Sequence, residues 1–134
     1  MNTDIYPQNV GAEHAVLGSI LIDPDVIHAV RKALKPDDFM LRKHQWIYQA
    51  MVSLDDNNTA IDLMTLSSTL THNLDAIGGA AYLSELINAV PSAMNAVEYA
   101  NLVRETAVRR RILQDLSDTS RDAFNEDLPL EDVL

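Results

Sequence analysis

One stretch without proline or glycine limits the possible folds of this chain more than any other feature. It runs from about residue 93 to residue 124, and because those two residues most often interrupt helices, it predicts one helix of roughly 30 residues, about 45 Å long. Such a helix extends beyond a small globule, so its apolar side must be covered by a following helix or by a second copy of the chain. Its apolar residues form one narrow seam, namely Val97, Ala100, Val103, Ala107, Leu113 and Leu116.

The residues before this stretch predict short helices, because apolar residues recur there at helical spacing between turn signals. Gly18 lies inside the first of these helices. Glycine costs roughly 1 kcal/mol against alanine in an exposed helix, so Gly18 predicts a close contact with another helix. We expect helices at about 10–22, 24–34, 42–55 and 63–73, and a fifth that starts at Gly78-Gly79 and ends before Pro91.

The expected fold class is therefore all-α, with a compact head followed by a helical hairpin. The length of 134 residues and the hydrophobic content of 47% suit one domain. Its head of about five short helices spans residues 1–92, and residues 93–134 hold the long helix and the start of a second arm near Leu130.

The charge is patterned along the chain. The formal net charge is −10, which argues against strong DNA binding by this chain alone, since such binding depends on Lys and Arg. From Asp115 to Leu134 there are seven carboxylates against the single Arg121. The basic residues form two islands, and the second consists of the four arginines between Arg104 and Arg111. The first is a candidate docking patch for an acidic partner, with a solvated rim as the alternative, and is formed by Arg31, Lys32, Lys35, Arg42 and Lys43.

The sequence predicts no catalytic, cofactor-binding or metal site. It has no cysteine, no phosphate-binding loop, and no two histidines at the spacing that places both on one helical face. The four histidines His14, His28, His44 and His72 are therefore interpreted as ordinary surface or partly buried residues. No stretch is long and apolar enough to span a membrane, and residues 1–5 lack the features of a signal peptide, which predicts a cytoplasmic protein.

The run Arg109-Arg110-Arg111 covers three directions around the long helix. One interpretation is a solvated face in which Arg109 pairs with Glu105 and Arg111 with Asp115. The other is a contact with a second chain, since arginine is enriched in interfaces.

An ordered set of short motifs resembles the N-terminal domain of bacterial replicative DNA helicases, the DnaB family. The set covers almost the whole chain, and it consists of Pro7-Gln8-Asn9, Ala12-Glu13, Val16-Leu17-Gly18, Asp38-Phe39, His44, Ile47-Tyr48, Ile61-Asp62, Ile77-Gly78-Gly79, Tyr82-Leu83, Pro91-Ser92, Asn95, Tyr99-Ala100, Val103, Glu105 and Arg110. Met40 departs from the family pattern, in which an aromatic residue often follows Asp-Phe.

The resemblance implies a non-catalytic collar domain that pairs subunits within a hexamer built as a trimer of dimers, docks primase, and can meet a helicase loader at the nucleoid. ATP and Mg²⁺ would belong to an ATPase domain outside these residues. We expect the subunit contact at Val97, Tyr99, Ala100, Val103, Ala107, Arg110, Leu113 and Leu116. The alternative is a stand-alone phage or plasmid regulator that imitates the collar, and the reading frame after Leu134 separates the two.

Overall fold

The computed structural model describes residues 6–134, and every regular element in this part of the chain is a helix or a 3₁₀ turn. The expectations for residues 1–5 lie outside the described residues. The helices are α1 (Val10–Ile22), α2 (Ile27–Ala33), α3 (Arg42–Asp56), α4 (Leu63–Leu70), α5 (Leu74–Ile77), α6 (Gly79–Ile87), α7 (Ala96–Phe124) and α8 (Leu130–Val133), and 3₁₀ turns occupy Pro24–Val26, Pro36–Asp38 and Thr71–Asn73.

The all-α prediction is confirmed, and the first and third helices have the expected bounds to within one residue. The second helix starts as a 3₁₀ turn, because Pro24 follows Asp23, whose side chain accepts a hydrogen bond from the Asp25 amide. The fourth helix ends at Leu70, because Thr71 takes a positive φ of 42° that an α-helix does not allow. Helix α5, with four residues, is too short for its periodicity to be recognised in sequence.

Helix α1 is the centre of the head and is buried on almost every side. It packs against α3, α6 and α7. Asn9 is the N-cap of α1, and its Oδ1 accepts a hydrogen bond of 2.9 Å from the Ala12 amide. The close contact predicted at Gly18 is also confirmed, because a Cβ built there would lie 2.1 Å from the carbonyl oxygen of Leu86. Helices α1 and α6 thus meet backbone to backbone.

Helix α7 has two structural roles along its length. Its first half packs on α1 and α2 and buries Ala96, Ala100, Val103 and Ala107. From Val108 onward its apolar side chains are exposed, and Arg110 and Arg111 make the last hydrogen bonds of α7 to the head within residues 6–134. The short α8 lies against α7, so the chain turns back as a helical hairpin requires. The long helix is therefore both a core helix of the head and the first arm of the hairpin.

Candidate interaction surfaces

The projecting half of α7 exposes an apolar stripe that the head does not cover. Val108, Ile112 and Leu116 are 40%, 54% and 62% exposed, and their four-residue spacing places them on one face of the helix. We call these three residues the α7 stripe. Because an α-helix turns by about 100° per residue, Leu116 lies on the side of the helix opposite to the buried Ala107. The α7 stripe is therefore a second apolar surface, distinct from the one that builds the core.

The structure divides the predicted contact residues of the long helix between these two surfaces. Ala100, Val103 and Ala107 are buried inside the head, and Tyr99 packs against the same core. Ala100, Val103 and Ala107 are therefore not available to a second chain, and the predicted subunit contact is corrected at these three residues. Tyr99 is only partly buried, and its place in the contact stays a prediction. The remaining apolar residues of the seam are exposed, with Val97 at 41%, Leu113 at 43% and Leu116 at 62%. The six residues looked like one seam because their spacing in sequence combines residues from the buried and the exposed face of α7.

Arg110 also lies against the head and not on the α7 stripe. Its guanidinium donates hydrogen bonds to the carbonyl oxygens of Pro7, at 2.9 Å, and Asp38, at 2.7 Å. Burial lowers the pKa of Arg110, although an arginine remains charged at neutral pH. Arg110 therefore ties the segment before α1 and the 3₁₀ turn at Pro36–Asp38 to α7. It is only partly buried, and its assignment to the subunit contact stays a prediction.

The neighbours of Arg110 make ion pairs, one as predicted and one not. Arg109 bonds Glu105 at 3.3 Å, which confirms that pair. Arg111 bonds the carboxylate of Asp38 and not Asp115. Asp38 is 4% exposed, and it also accepts a hydrogen bond from the Lys35 amide at 2.8 Å. Asp38 therefore joins α7 to the head.

A cleft between α2 and α7 brings together the two basic islands of the sequence. Its volume is about 660 Å³. We call it the basic cleft, and the residues around it are Arg31, Lys32, Ala33, Leu34, Lys35, Asp37, Asp38, Arg104, Val108 and Arg111. The sequence did not indicate that the two islands meet, because the 60 residues from His44 to Val103 contain no Lys or Arg.

The cations of the basic cleft differ in how they are neutralised. Arg31 bonds Asp55 and Asp56, each at 2.8 Å, and the hydrogen bond to Arg31 lowers the pKa of Asp55. Arg111 is paired with Asp38, as described above. Lys32, Lys35 and Arg104 are exposed and form no ion pair with any residue in 6–134. These three carry the positive charge that the cleft presents to solvent.

The other two residues of the predicted docking patch lie elsewhere. Arg42 begins α3 and does not line the basic cleft. The ammonium group of Lys43 lies 4.0 Å from the centre of the Tyr82 ring, in a cation–π contact. The structure therefore groups three of the five predicted residues, Arg31, Lys32 and Lys35, with Arg104 and Arg111 of the second island.

A polar network is buried in the head where the sequence indicated only dispersed residues. Glu13 and His44 are fully buried, and their Oε1 and Nδ1 atoms are 2.7 Å apart. The other oxygen of Glu13 accepts a hydrogen bond of 2.8 Å from the Met40 amide. Nε2 of His44 lies 2.6 Å from the hydroxyl of Tyr82, which lies 2.9 Å from Nε2 of His14. The network joins α1, α3 and α6.

Each contact in this network can have one donor and one acceptor. Burial, followed by the nearby His44 and Lys43, lowers the pKa of His14, and burial raises the pKa of Tyr82 to about 12. A neutral His14 donates its Nε2–H to Tyr82, whose O–H donates to His44, and Nδ1–H of His44 donates to Glu13. Each of the three contacts then has its own donor and acceptor within the protein, which is what a buried network requires.

The interpretation of all four histidines as ordinary surface or partly buried residues was wrong for His44. The spacing rule for histidines tests for two imidazoles on one helix, whereas Glu13 and His44 are brought together from two different helices. One signal was available in the sequence. Glu13 stands among apolar residues of α1, between Ala12 and Ala15, and a buried carboxylate needs a partner.

Two further features, a metal site and a membrane-spanning helix, are not found within residues 6–134. No group of three or more His, Cys, Asp or Glu side chains within residues 6–134 is arranged to hold a metal ion. Among the helices of the same residues, none is long and apolar enough to cross a membrane.

The chain is similar to replicative helicases in sequence. The family model described as DnaB-like helicase N terminal domain matches residues 5–105. The replicative DNA helicase DnaC of Bacillus subtilis (strain 168) is 37% identical over 136 residues, covering 100% of this chain and 30% of that protein. The replicative DNA helicase DnaB of Geobacillus stearothermophilus is 36% identical over 132 residues, covering 97% and 29%. The chain therefore spans about three tenths of the length of these relatives.

The chain is also similar in structure to solved structures of such helicases. The crystal structure of the N-terminal domain of DnaB helicase from Mycobacterium tuberculosis has a TM-score of 0.92 and 34% identity, covering 96% of this chain and 92% of that one. A DnaB-like replicative helicase, whose structure is described together with its interactions with primase, has a TM-score of 0.75 and 30% identity, covering 85% and 27%. Residues 1–134 correspond to the N-terminal domain of such helicases and not to their ATPase domain.

Proposed function

The chain belongs to the DnaB-like helicase N-terminal domain family, and on this premise we propose that it is the non-catalytic collar domain of a hexameric replicative DNA helicase. In this role it pairs helicase subunits and docks primase during DNA replication. ATP and Mg²⁺ bind to the ATPase domain of the whole protein, which works in the cytoplasm beside the nucleoid.

The observation that carries the pairing role is the α7 stripe. Val108, Ile112 and Leu116 are between 40% and 62% exposed on one face of α7. Burial of apolar surface stabilises association by roughly 25 cal/mol per Å², so an uncovered stripe on a projecting helix favours contact with another helix. We assign that contact to a second copy of the chain, arranged so that the two α7 helices run antiparallel.

An antiparallel pair with a two-fold axis at Ile112 buries the α7 stripe of each copy against the α7 stripe of the other. Ile112 of one copy meets Ile112 of the other, and Val108 of one copy lies beside Leu116 of the second copy, because both are four residues from the axis. Arg109 of one copy then lies level with Asp115 of the second copy. The same stripe is therefore buried on both copies, as an interface between identical subunits demands.

Light scattering tests the pairing role. We expect a dimer for this chain, or for a chain extended through the second hairpin arm, and we expect Ile112→Glu to shift it to monomer, because two carboxylates would meet at the axis. Met64→Glu is the matched control, since Met64 is 79% exposed on α4 and far from α7 in sequence. Pairing is refuted if both unsubstituted chains remain monomeric at high concentration.

The primase role is supported by the structure of the DnaB-like helicase described with its interactions with primase, to which this chain is 30% identical. Calorimetric titration of the primase from the same organism into the chain measures it directly. We expect binding at a defined stoichiometry and a joint peak in gel filtration. No heat and separate elution at concentrations of tens of micromolar would remove primase from the proposed function.

A further inference from the structure

We propose that the acidic half of α7 from a second copy of this chain lies along the basic cleft and fixes the register of the antiparallel pair. The inference rests on the pairing role proposed above and adds the charged contact that selects one alignment. Lys32, Lys35 and Arg104 supply the cations on one copy, and Asp118 and Asp122 supply the carboxylates on the other.

The positions of the charges around α7 support this contact. At about 100° per residue, Asp122 points in the same direction from the helix axis as Arg104, and Asp118 points within about 40° of that direction. In an antiparallel pair related by a two-fold axis, the same flank of each helix lies on the same side of the pair. The flank of α7 that borders the basic cleft on one copy therefore faces the acidic flank of the second copy.

The positions along α7 agree as well. With the two-fold axis at Ile112, Arg104 of one copy lies level with residue 120 of the other, between Asp118 and Asp122. Arg104 and Val108 line the basic cleft and the α7 stripe adjoins it at Val108, so the charged contact continues the apolar one. Asp118 bonds Arg121 at 3.0 Å, both largely exposed, which leaves Asp122 as the carboxylate best placed for Arg104.

The apolar lining of the cleft favours this occupant over nucleic acid. Ala33, Leu34 and Val108 line the cleft beside its charged residues. A phosphate backbone offers no apolar surface to them, whereas α7 of a second copy carries Leu116 next to its acidic residues and so supplies both carboxylates and apolar contact. An axis shifted toward the C-terminal end of α7 would place the acidic halves of the two copies against each other, and the like charges would repel.

Charge reversal within the dimer tests the contact, with the dissociation constant measured by analytical ultracentrifugation at low and high salt. We expect Arg104→Glu to raise the dimer dissociation constant about tenfold at low salt, because the two-fold symmetry repeats each lost pair. The effect should shrink in about 1 M salt, where charges are screened within about 3 Å. Arg42→Glu is the matched control, with the same charge change on an exposed residue outside the cleft.

A second substitution that reverses the charge of Asp122 tests whether Arg104 and Asp122 interact directly. The double variant Arg104→Glu with Asp122→Arg restores opposite charges across the interface at unchanged net charge, and its dissociation constant should return to within about threefold of the original. An Arg104→Glu effect no larger than that of Arg42→Glu, or no rescue, overturns the inference. Those outcomes would not contradict the pairing role of the α7 stripe, because loss of the dimer in Ile112→Glu tests that role separately.

Binding of a DNA duplex to the chain is the competing outcome. If a fluorescent duplex binds with a salt-dependent affinity that Lys32→Glu and Arg104→Glu abolish, the cleft holds nucleic acid and the inference is wrong. If the duplex does not bind while the charge-reversed pair behaves as described, the second copy is the occupant.

Discussion

Gly18→Ala should lower the free energy of unfolding of this chain by about 3 kcal/mol. The new Cβ would lie 2.1 Å from the carbonyl oxygen of Leu86 and 3.1 Å from its carbonyl carbon. No side-chain rotation can relieve a collision with backbone, so α1 and α6 must move apart and open the head core between them. Urea denaturation followed by far-ultraviolet circular dichroism measures the change.

The matched control for Gly18→Ala is Gly11→Ala in the same helix. A Cβ at Gly11 meets only Oδ1 of Asn9, at 3.7 Å, which is an ordinary contact. Because alanine is a better helix former than glycine, Gly11→Ala should raise the free energy of unfolding by up to about 1 kcal/mol. Equal effects of the two substitutions would show that α1 and α6 are not held in contact at Gly18.

His44→Leu should lower the free energy of unfolding by about 3 kcal/mol, the upper end of the range for leaving a buried polar group without its hydrogen-bond partner. Leucine fills most of the space of the imidazole but leaves Oε1 of Glu13 without the Nδ1–H that it contacts at 2.7 Å. The hydroxyl of Tyr82 loses a partner at the same time. The free energy of unfolding is again measured by urea denaturation.

The same substitution at an exposed histidine is the control, because it shows what the loss of a histidine costs where the side chain is not buried. His28 bonds Asp55 at 3.0 Å, but its side chain is 67% exposed, and solvent can replace that contact. His28→Leu should therefore change stability by less than about 1 kcal/mol. If His44→Leu costs no more than His28→Leu, the buried network does not stabilise the head.

Both stability predictions concern contacts between helices that are distant in sequence, and they differ in how far sequence foresaw them. Gly18 predicted its contact because glycine inside a helix is costly unless something lies close to it. The sequence could not name Leu86 as the neighbour. Glu13 and His44 gave a weaker signal, because the partner of a buried carboxylate lies in another element and no local spacing identifies it.

The bounds of the helices could be predicted from sequence because they depend on neighbouring residues. The Asn9 cap, the prolines that precede α2 and follow α6, and the stretch without proline or glycine that forms α7 all act over a few residues. The resemblance to the DnaB family rested on the same kind of local signal, and the match of the family model to residues 5–105 confirms it.

The sequence by itself thus determined the all-α class, the long helix and the family, since these depend on local periodicity and on ordered short motifs. Only the tertiary structure decided which face of α7 is free. One seam read along the sequence combined Ala107, which packs on the head, with Leu116, which lies on the opposite side of the helix. Helical periodicity shows that residues share a face, but burial depends on which other helices pack there.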